Sequence, residues 1–400
     1  MDGRPLGRRT LWVLSIYQFL SNNRSSLFTV YFVLFVVKRD GVSVAEGLTA
    51  FSVAYVCSSL VSPVAGRISD RLRRRRLLLL VGEAASLPFF VLIPVVPGFL
   101  LVSVFFLLAE TILSFGSTAL QAFVADISSA QERGGSYGFL SAVGSAGSVV
   151  GILAAGVVSE LFGLDSIFYM VGFVMAGTIM LILLAVPEVE IPASPRRKPL
   201  REMKGLAVFS AATSVRTLGT GAVTAFFGTY AYILGASNFD VSLVGVAGLL
   251  TTALLGARLG RRVDSIGEIP GYIYGTIIVT VSLVVYFLAG VWFDLIPARI
   301  IYAMGFGLLS PAMLSWVTKI APENRKAEYL GFFALINSTL WALGPIPGGI
   351  VEAAYGPAGL FVFAGAATMV SLGSVYALYS RSPRAPVRSS SPLPSASPPP

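Results

Sequence analysis

The chain has 400 residues, of which 55% are hydrophobic and only 12% are charged. Ordinary soluble domains carry about 25% charged residues, so this composition excludes a soluble globular protein. The net charge of +9 would indicate nucleic-acid binding in a soluble protein, but here the Lys and Arg residues lie mostly between apolar segments, and we expect no nucleic-acid partner. The apolar runs are long and continuous, which predicts helices that cross a lipid bilayer rather than the alternating strands of a barrel.

Twelve apolar segments follow one another along the chain. The first is too long for a signal peptide and no small-residue cleavage site follows it, so we interpret it as a helix. The odd-numbered connections contain only Lys38 and Arg39 among 29 basic residues, and basic residues favour the cytoplasmic side. We therefore predict an all-α, multi-pass protein of the cell membrane with twelve transmembrane helices and both termini cytoplasmic. The approximate ranges are 10–37, 45–66, 77–96, 98–123, 135–158, 165–186, 205–234, 240–258, 270–290, 294–316, 330–352 and 357–380.

A basic stretch follows the second apolar segment and reads G-R-I-S-D-R-L-R-R-R-R from Gly66 to Arg76. It resembles the signature G-x-x-x-D-[RK]-x-G-[RK]-[RK] between helices 2 and 3 of the major facilitator superfamily, with Arg73 in place of the second Gly. In that family the Asp engages helix 11 and helps hold the cytoplasmic side closed. The resemblance therefore implies a cytoplasmic gate, to which a solvated charge cluster is the alternative. Its members here are Gly66, Asp70, Arg71, Arg74, Arg75 and, at the end of helix 4, Asp126.

The second half of the chain repeats the first. At an offset of 192 residues Arg24 corresponds to Arg216, each inside the first helix of its half. At an offset of 194 the Gly and Asp of the basic stretch recur as Gly260 and Asp264, which we add to the predicted gate. The repeat predicts two pseudo-symmetric six-helix bundles, as the resemblance to the superfamily also implies, with the solute bound near the midplane between them.

The predicted bundles comprise residues 1–186 and 205–380. A cytoplasmic linker at 187–204 joins them, because this stretch is rich in Pro and basic residues. A tail at 381–400 is rich in Pro and Ser, lacks apolar content and is predicted to be disordered.

Three ionisable residues lie deep inside predicted helices, namely Arg24, Glu110 and Arg216. Arg24 is fourteen residues from Thr10 and from Lys38, which places it about 21 Å from either end of its helix. Ionisable groups are costly inside a membrane and usually mark functional sites. In the superfamily helices 1, 4, 7 and 10 line the central cavity, so the resemblance brings the three together. Two cations against one carboxylate predict a positively charged cavity and hence an anionic solute.

The superfamily's organophosphate/phosphate exchangers are similar in placing one Arg on each of helices 1 and 7. A structural ion pair with Glu110 is the alternative role for Arg24. Glu83, near the start of helix 3, is expected to face cytoplasmic water, which leaves Glu110 as the one carboxylate near the midplane and the candidate for a coupling proton. The predicted solute contacts are Arg24, Arg216, Tyr17, Tyr31, Thr213 and Thr220.

These features predict a monomeric secondary active transporter that moves a small solute by alternating access, driven by a proton or counter-anion gradient. An anionic solute is the leading class. The alternative is a proton-coupled efflux antiporter for drug-like amphipathic compounds, since Gly344 to Gly349 resembles the antiporter signature G-P-x-x-G-G, although the family places that signature in helix 5. A membrane enzyme or a sensor is disfavoured because the chain has no His and a single Cys. We expect no cofactor and no metal.

Overall fold

The computed structural model of the protein describes residues 4–72, 74–127, 133–188, 204–322 and 326–381. Within these ranges it contains twelve α-helices and a 3₁₀ turn, Trp292–Asp294, before the tenth helix. The N-terminal half contains α1 (Arg4–Asp40), α2 (Val44–Leu72), α3 (Arg75–Leu92), α4 (Phe99–Ile127), α5 (Arg133–Phe162) and α6 (Asp165–Ala185). The C-terminal half contains α7 (Lys204–Ile233), α8 (Asn238–Ile266), α9 (Glu268–Leu288), α10 (Leu295–Ile320), α11 (Lys326–Leu343) and α12 (Pro345–Arg381).

Parts of the sequence prediction fall outside the described part of the chain. Residues 189–203 of the predicted linker and 382–400 of the predicted tail are among them. The backbone of Asp70 and Asp126 is helical, but their side chains also lie outside the described set. The gate contacts of these two carboxylates therefore stay a prediction.

Eight segments of the described ranges are long and apolar enough to cross a membrane. The helices outside these segments, α1, α3 and α7, carry Arg24, Glu83 and Arg216. The structure thus confirms an all-helical protein with multiple apolar spans, while the count of twelve spans stays a prediction. The eight segments are Val44–Ser69, Phe99–Val124, Phe139–Phe162, Asp165–Ala185, Asn238–Ile266, Glu268–Leu288, Trp292–Ile320 and Tyr329–Leu378.

The last two helices divide the chain differently from the predicted segments. The predicted eleventh segment, 330–352, is interrupted after Leu343, and α12 begins at Pro345, whose missing amide hydrogen suits the first turn of a helix. Gly356 then breaks α12 with a φ of 72°, a left-handed value that glycine adopts at little cost. The predicted boundary between the last two segments therefore coincides with this break.

Glycines set the close packing inside each half. A Cβ atom on Gly151 of α5 would overlap the carbonyl oxygen of Asn23 in α1, and one on Gly344 would overlap that of Leu218 in α7. Small residues allow this backbone approach, which is a common way to pack helices in membranes. The first helix of each half is thereby fixed against its neighbours.

The two halves meet at the end of the bundle where α1 ends and α2 begins, which we name the closed end. Ser52 Oγ of α2 donates a hydrogen bond of 2.5 Å to the carbonyl oxygen of Ala342 in α11. Ser242 Oγ of α8 donates one of 2.5 Å to the carbonyl oxygen of Ile152 in α5. Both the donors and the acceptors are related by an offset of 190 residues, so the two bonds are pseudo-symmetric copies. We name them the serine latches.

Tyr31 reinforces one latch and not the other. Its hydroxyl lies 2.6 Å from Ser242 Oγ and 2.7 Å from the carbonyl oxygen of Asn238. Among the described side chains, the hydrogen bonds that join the halves lie at this end. We name the opposite end the basic end because it carries Arg71 and Arg74.

Candidate solute-binding site

Arg24 is buried in α1 and its charge is already matched. Its Nη1 atom forms an ion pair with Glu83 Oε2, and its Nη2 atom lies 3.0 Å from Ser21 Oγ. Tyr17, also in α1, donates a hydrogen bond of 3.0 Å to the other oxygen of Glu83. Two side chains of α1 therefore hold both oxygens of one carboxylate from α3.

The expectation that Glu83 faces water is wrong, because its side chain is fully buried. The helix begins at Arg75, so Glu83 lies eight residues, or about 12 Å, inside it. Gly82 is pressed against the backbone of Gly116 in α4, where an added Cβ would lie 2.8 Å from the Gly116 nitrogen. This close crossing of α3 and α4 places Glu83 inside the bundle.

Glu110 of α4 is buried, and its Oε1 atom has no hydrogen-bond partner among the described residues. It lies within electrostatic reach of Arg24 and Tyr55. The predicted alternative, an ion pair between Arg24 and Glu110, is not formed, since Arg24 engages Glu83 instead. Among the described side chains of the N-terminal half, Glu110 is therefore a second buried carboxyl group and, unlike Glu83, it has no ion pair.

Arg216 of α7 is also buried, with 1% of its surface exposed. Its Nη2 atom donates to Met313 Sδ of α10 at 3.7 Å, and its Nε atom has no partner in the described structure. No described carboxylate lies within ion-pairing distance of it. A buried guanidinium whose described hydrogen bond goes to a thioether is strongly under-satisfied.

The position that supplies Glu83 in the N-terminal half supplies a hydroxyl in the C-terminal half. At an offset of 193 residues Gly82 corresponds to Gly275 and Glu83 to Thr276. Gly275 packs against Leu309 of α10, which is the counterpart of Gly116 at the same offset. Thr276 is fully buried and donates 2.7 Å to the carbonyl oxygen of its own helix at Tyr272. The repeat therefore conserves the helix crossing but not the counter-ion.

The other predicted solute contacts are engaged elsewhere. Tyr17 holds Glu83, and Tyr31 lies in the closed end. Thr213 and Thr220 donate to carbonyl oxygens of α7 itself, at 2.9 Å to Phe209 and 3.4 Å to Thr217. Sequence reasoning missed two other hydroxyls of α7, those of Ser210 and Ser214, which are fully buried and have no hydrogen-bond partner among the described residues.

The predicted charge count of two cations and one carboxylate omitted Glu83, which is a further buried carboxyl group. The two arginines, Arg24 and Arg216, are accompanied by two buried carboxyl groups rather than one. Arg24 and Glu83 neutralise each other as an ion pair. The remaining pair consists of Arg216 and Glu110, neither of which has an ion-pair partner in the described structure.

Aromatic rings from both halves meet between the site and the closed end. Trp341 of α11 lies with its ring centroid 5.5 Å from that of Tyr55 and 6.1 Å from that of Phe51. Phe51 in turn lies 6.2 Å from Phe106 of α4. The Tyr55 hydroxyl is 3.1 Å from Thr29 Oγ1 in α1. This aromatic cluster, formed by α2, α4 and α11, gives the interface of the halves an apolar wall.

The predicted gate is only partly described. Arg75 is buried and its Nη1 atom donates to Ser69 Oγ, whereas Arg71, Arg74 and Asp264 are exposed. Gly66 faces α4, where a Cβ would lie 3.5 Å from a methyl carbon of Thr118, while Gly260 has nothing within 4 Å of that position.

Comparison with known proteins decides the family. The family model described as Major Facilitator Superfamily matches residues 14–212 and 209–398. The chain belongs to the major facilitator superfamily, and it is a multi-pass membrane protein of that transporter family.

Two relatives span most of its length. It is 24% identical to the multidrug resistance protein MdtG of Proteus mirabilis over 91% of this chain and 94% of that protein. It is 23% identical to the multi-drug resistance efflux pump PmrA of Streptococcus pneumoniae, over 84% of this chain and 88% of the relative. Among solved structures, the peptide transporter POT in complex with sulfate has the same fold, with a TM-score of 0.77 at 13% identity over 95% of this chain and 98% of that one.

Proposed function

We propose that the protein is a secondary active transporter of the cell membrane that moves an amphipathic organic solute bearing an acidic group, with Arg216 as the contact for that group. The observation that carries the proposal is the buried guanidinium of Arg216, which has no described carboxylate within ion-pairing distance. The sequence predicted a clamp of two arginines. The proposal assigns the contact to Arg216 alone, since Glu83 occupies Arg24.

The physical reason is the cost of an unpaired charge in a dry interior. A buried cation is normally paired or hydrogen-bonded, because desolvation costs several kcal/mol per ion otherwise. A carboxylate, sulfonate or phosphate group would form two parallel charge-assisted hydrogen bonds with the guanidinium. A solute that supplies such a group offsets the cost and is thereby selected.

The apolar part of the solute would contact the aromatic cluster around Trp341. The rings of Phe51, Tyr55 and Trp341 come from both halves, so an aromatic or aliphatic portion of the solute would contact α2 and α11 together. Aromatic walls with few polar groups are typical of sites for small organic molecules.

Glu110 is the proposed proton site. If Glu110 is neutral, the groups Arg24, Glu83, Glu110 and Arg216 together carry one positive charge, which a single acidic group on the solute would balance. Proton and solute would then cross the membrane as an electrically neutral load. The arrangement therefore supports proton coupling through Glu110, and a counter-anion gradient is the alternative.

The proposed orientation rests on the distribution of basic residues, and the proposed gating rests on the predicted gate residues. The Lys and Arg distribution favours a basic end in the cytoplasm, so we propose a monomer in which the closed end faces outward. Alternating access would break the serine latches and close the basic end. The gate around Asp70 and its second copy at Asp264 are proposed to act in that closure.

A second candidate is proton-coupled efflux of neutral or cationic drug-like compounds. The names of MdtG and PmrA, a multidrug resistance protein and an efflux pump, favour it. In that case Glu110 would be the charged contact and Arg216 would have a structural role.

The test is uptake into proteoliposomes of three matched probes, namely an aromatic carboxylic acid, its amide and the corresponding amine, under an imposed pH gradient. Arg216→Ala should reduce transport of the acid at least about thirtyfold, the loss expected for one member of a buried charge pair, and Arg216→Lys should restore little because it lacks the planar fork. Transport of the amide or amine in preference to the acid, unchanged in Arg216→Ala, would overturn the anion proposal and favour the second candidate.

A further inference from the structure

We infer that Glu83 is a specificity-determining residue, which restricts the solute to one acidic group by occupying Arg24. The inference rests on the proposed function, because it assumes that Arg216 receives the acidic group. Without Glu83, the two homologous helices would each present a free buried guanidinium to the solute. With it, only the C-terminal half does.

The geometry shows why Glu83 withdraws Arg24. Both carboxylate oxygens are held by α1, one by the Arg24 guanidinium and the other by the Tyr17 hydroxyl. The Glu83 side chain is fully buried, so water does not compete for these bonds. A carboxylate with both oxygens engaged in a dry site holds its cation far more firmly than an exposed ion pair does.

The C-terminal half shows that the fold does not require this carboxylate. Thr276 occupies the corresponding position beside the corresponding close crossing of α9 on α10. Its hydroxyl donates to the carbonyl oxygen of Tyr272 in its own helix, and the described hydrogen bond of Arg216 goes to Met313 Sδ. The same scaffold therefore accommodates an arginine with a counter-ion and an arginine without one, and a single position separates the two cases.

Arg24 would remain able to bind an anion if it were released. Its Nε atom is buried and has no partner among the described residues, so the guanidinium has an unused donor besides the Nη1 atom that holds Glu83. Glu110 lies within electrostatic reach and would take the place of Glu83 in a single substitution. The informative variant is therefore Glu83→Gln combined with Glu110→Gln, and Glu110→Gln alone is its matched control.

The experiment measures binding of two probe pairs to purified protein by calorimetry, hexanoate against hexanedioate and octanoate against octanedioate. In Glu110→Gln the monocarboxylate should bind more tightly than the dicarboxylate of equal length. In Glu83→Gln/Glu110→Gln the order should reverse, with the dicarboxylate gaining at least about tenfold in affinity because a second buried guanidinium becomes available. Adding Arg24→Gln should remove that gain.

A reciprocal variant keeps the test decisive if the double variant does not fold. Thr276→Glu introduces the carboxylate into the C-terminal half, where it should pair with Arg216 and reduce monocarboxylate binding at least about tenfold. Thr276→Gln has the same size and should reduce it much less. Equal losses in the two variants would indicate steric damage alone and would contradict the inference.

The outcomes separate the two proposals. If monocarboxylate binding survives Arg216→Ala, the proposed function fails. If that binding needs Arg216 but folded Glu83→Gln/Glu110→Gln protein shows no gain for either dicarboxylate, or binds no probe, the role of Glu83 is overturned while the proposed function stands.

Discussion

The two halves of the chain share one scaffold but differ in how they accommodate a buried arginine. In the N-terminal half Arg24 is paired with Glu83, and Tyr17 completes the carboxylate. In the C-terminal half Arg216 has no acidic partner in the described structure, because Thr276 stands where the carboxylate would be. The contrast indicates that the repeat preserves helix crossings, while the charges on them have diverged into a stabilising pair and an available cation.

The largest expected effect is a loss of stability when the ion pair between Arg24 and Glu83 is broken. Arg24→Ala leaves Glu83 buried without its cation and should lower the free energy of unfolding by about 3–5 kcal/mol. Arg216→Ala removes a charge that has no partner and should leave that free energy unchanged or raise it. Thermal and denaturant unfolding in detergent would compare the two variants.

The matched control for that prediction is the double variant Arg24→Met/Glu83→Gln. It removes both charges, so it should recover most of the stability that Arg24→Ala loses. Equal destabilisation by Arg24→Ala and Arg216→Ala would show that the two arginines have the same structural role and would remove the contrast between the halves.

The next effect concerns the two copies of the predicted gate. Asp70→Asn should reduce transport at least about tenfold, which corresponds to about 1.4 kcal/mol, because the predicted gate loses its carboxylate. Insertion should be unchanged, because the arginines of the basic stretch remain. Asp264→Asn should have a smaller effect, since Asp264 is exposed. Initial rates in proteoliposomes, normalised to inserted protein, would measure both. Full activity of well-expressed Asp70→Asn protein would exclude the gate.

A smaller effect distinguishes the two serine latches. Each of Ser52→Ala and Ser242→Ala removes one hydrogen bond, typically worth about 1 kcal/mol, but the second also removes one of the two polar neighbours of the Tyr31 hydroxyl. Ser242→Ala should therefore increase the population of the state in which this end is open by more than Ser52→Ala does. The readout is the labelling rate of Cys residues introduced along α8. Identical shifts from the two variants would mean that Tyr31 adds nothing to its latch.

The smallest effect is at the rim of the same end. The Lys38 ammonium lies 4.2 Å from the centroid of the Tyr232 ring and so links the two halves. Lys38→Gln should change the open population by about twofold, because exposed cation–π contacts are weak and screened by water. Lys38→Arg should retain the contact. A change as large as that of Ser242→Ala would mean that the rim contact stabilises the closed end as strongly as a buried latch does.

Much of the architecture could be predicted from the sequence, because it depends on one-dimensional signals. Long apolar runs predicted the helices, the basic stretch from Gly66 to Arg76 indicated the family by its resemblance, and the offset between Arg24 and Arg216 predicted two buried arginines. The position of Glu83 could not be predicted in this way, because its burial depends on the helix beginning at Arg75 and on the contact of Gly82 with α4.

The serine latches could not be predicted for a related reason. Ser52 and Ser242 lie in apolar helices that contain other serines, and nothing in the sequence distinguishes the two that reach across to the other half. A serine inside such a helix often bonds a carbonyl of its own preceding turn, as Ser59 does. Only the packing of α2 against α11 and of α8 against α5 redirects these two hydroxyls.

The latches end on backbone carbonyls, and this affects how they would appear in an alignment of homologues. The acceptors belong to Ala342 and Ile152, whose side chains take no part in the bond. The residue types at those two positions can therefore vary without loss of the acceptor, provided that the helix stays in place. Residue pairs that touch through side chains tend to vary together, as Ser242 and Tyr31 could, whereas the Ser52 latch should leave a constrained serine with no co-varying acceptor. A contact map inferred from co-variation would therefore miss the bond between Ser52 and the carbonyl oxygen of Ala342.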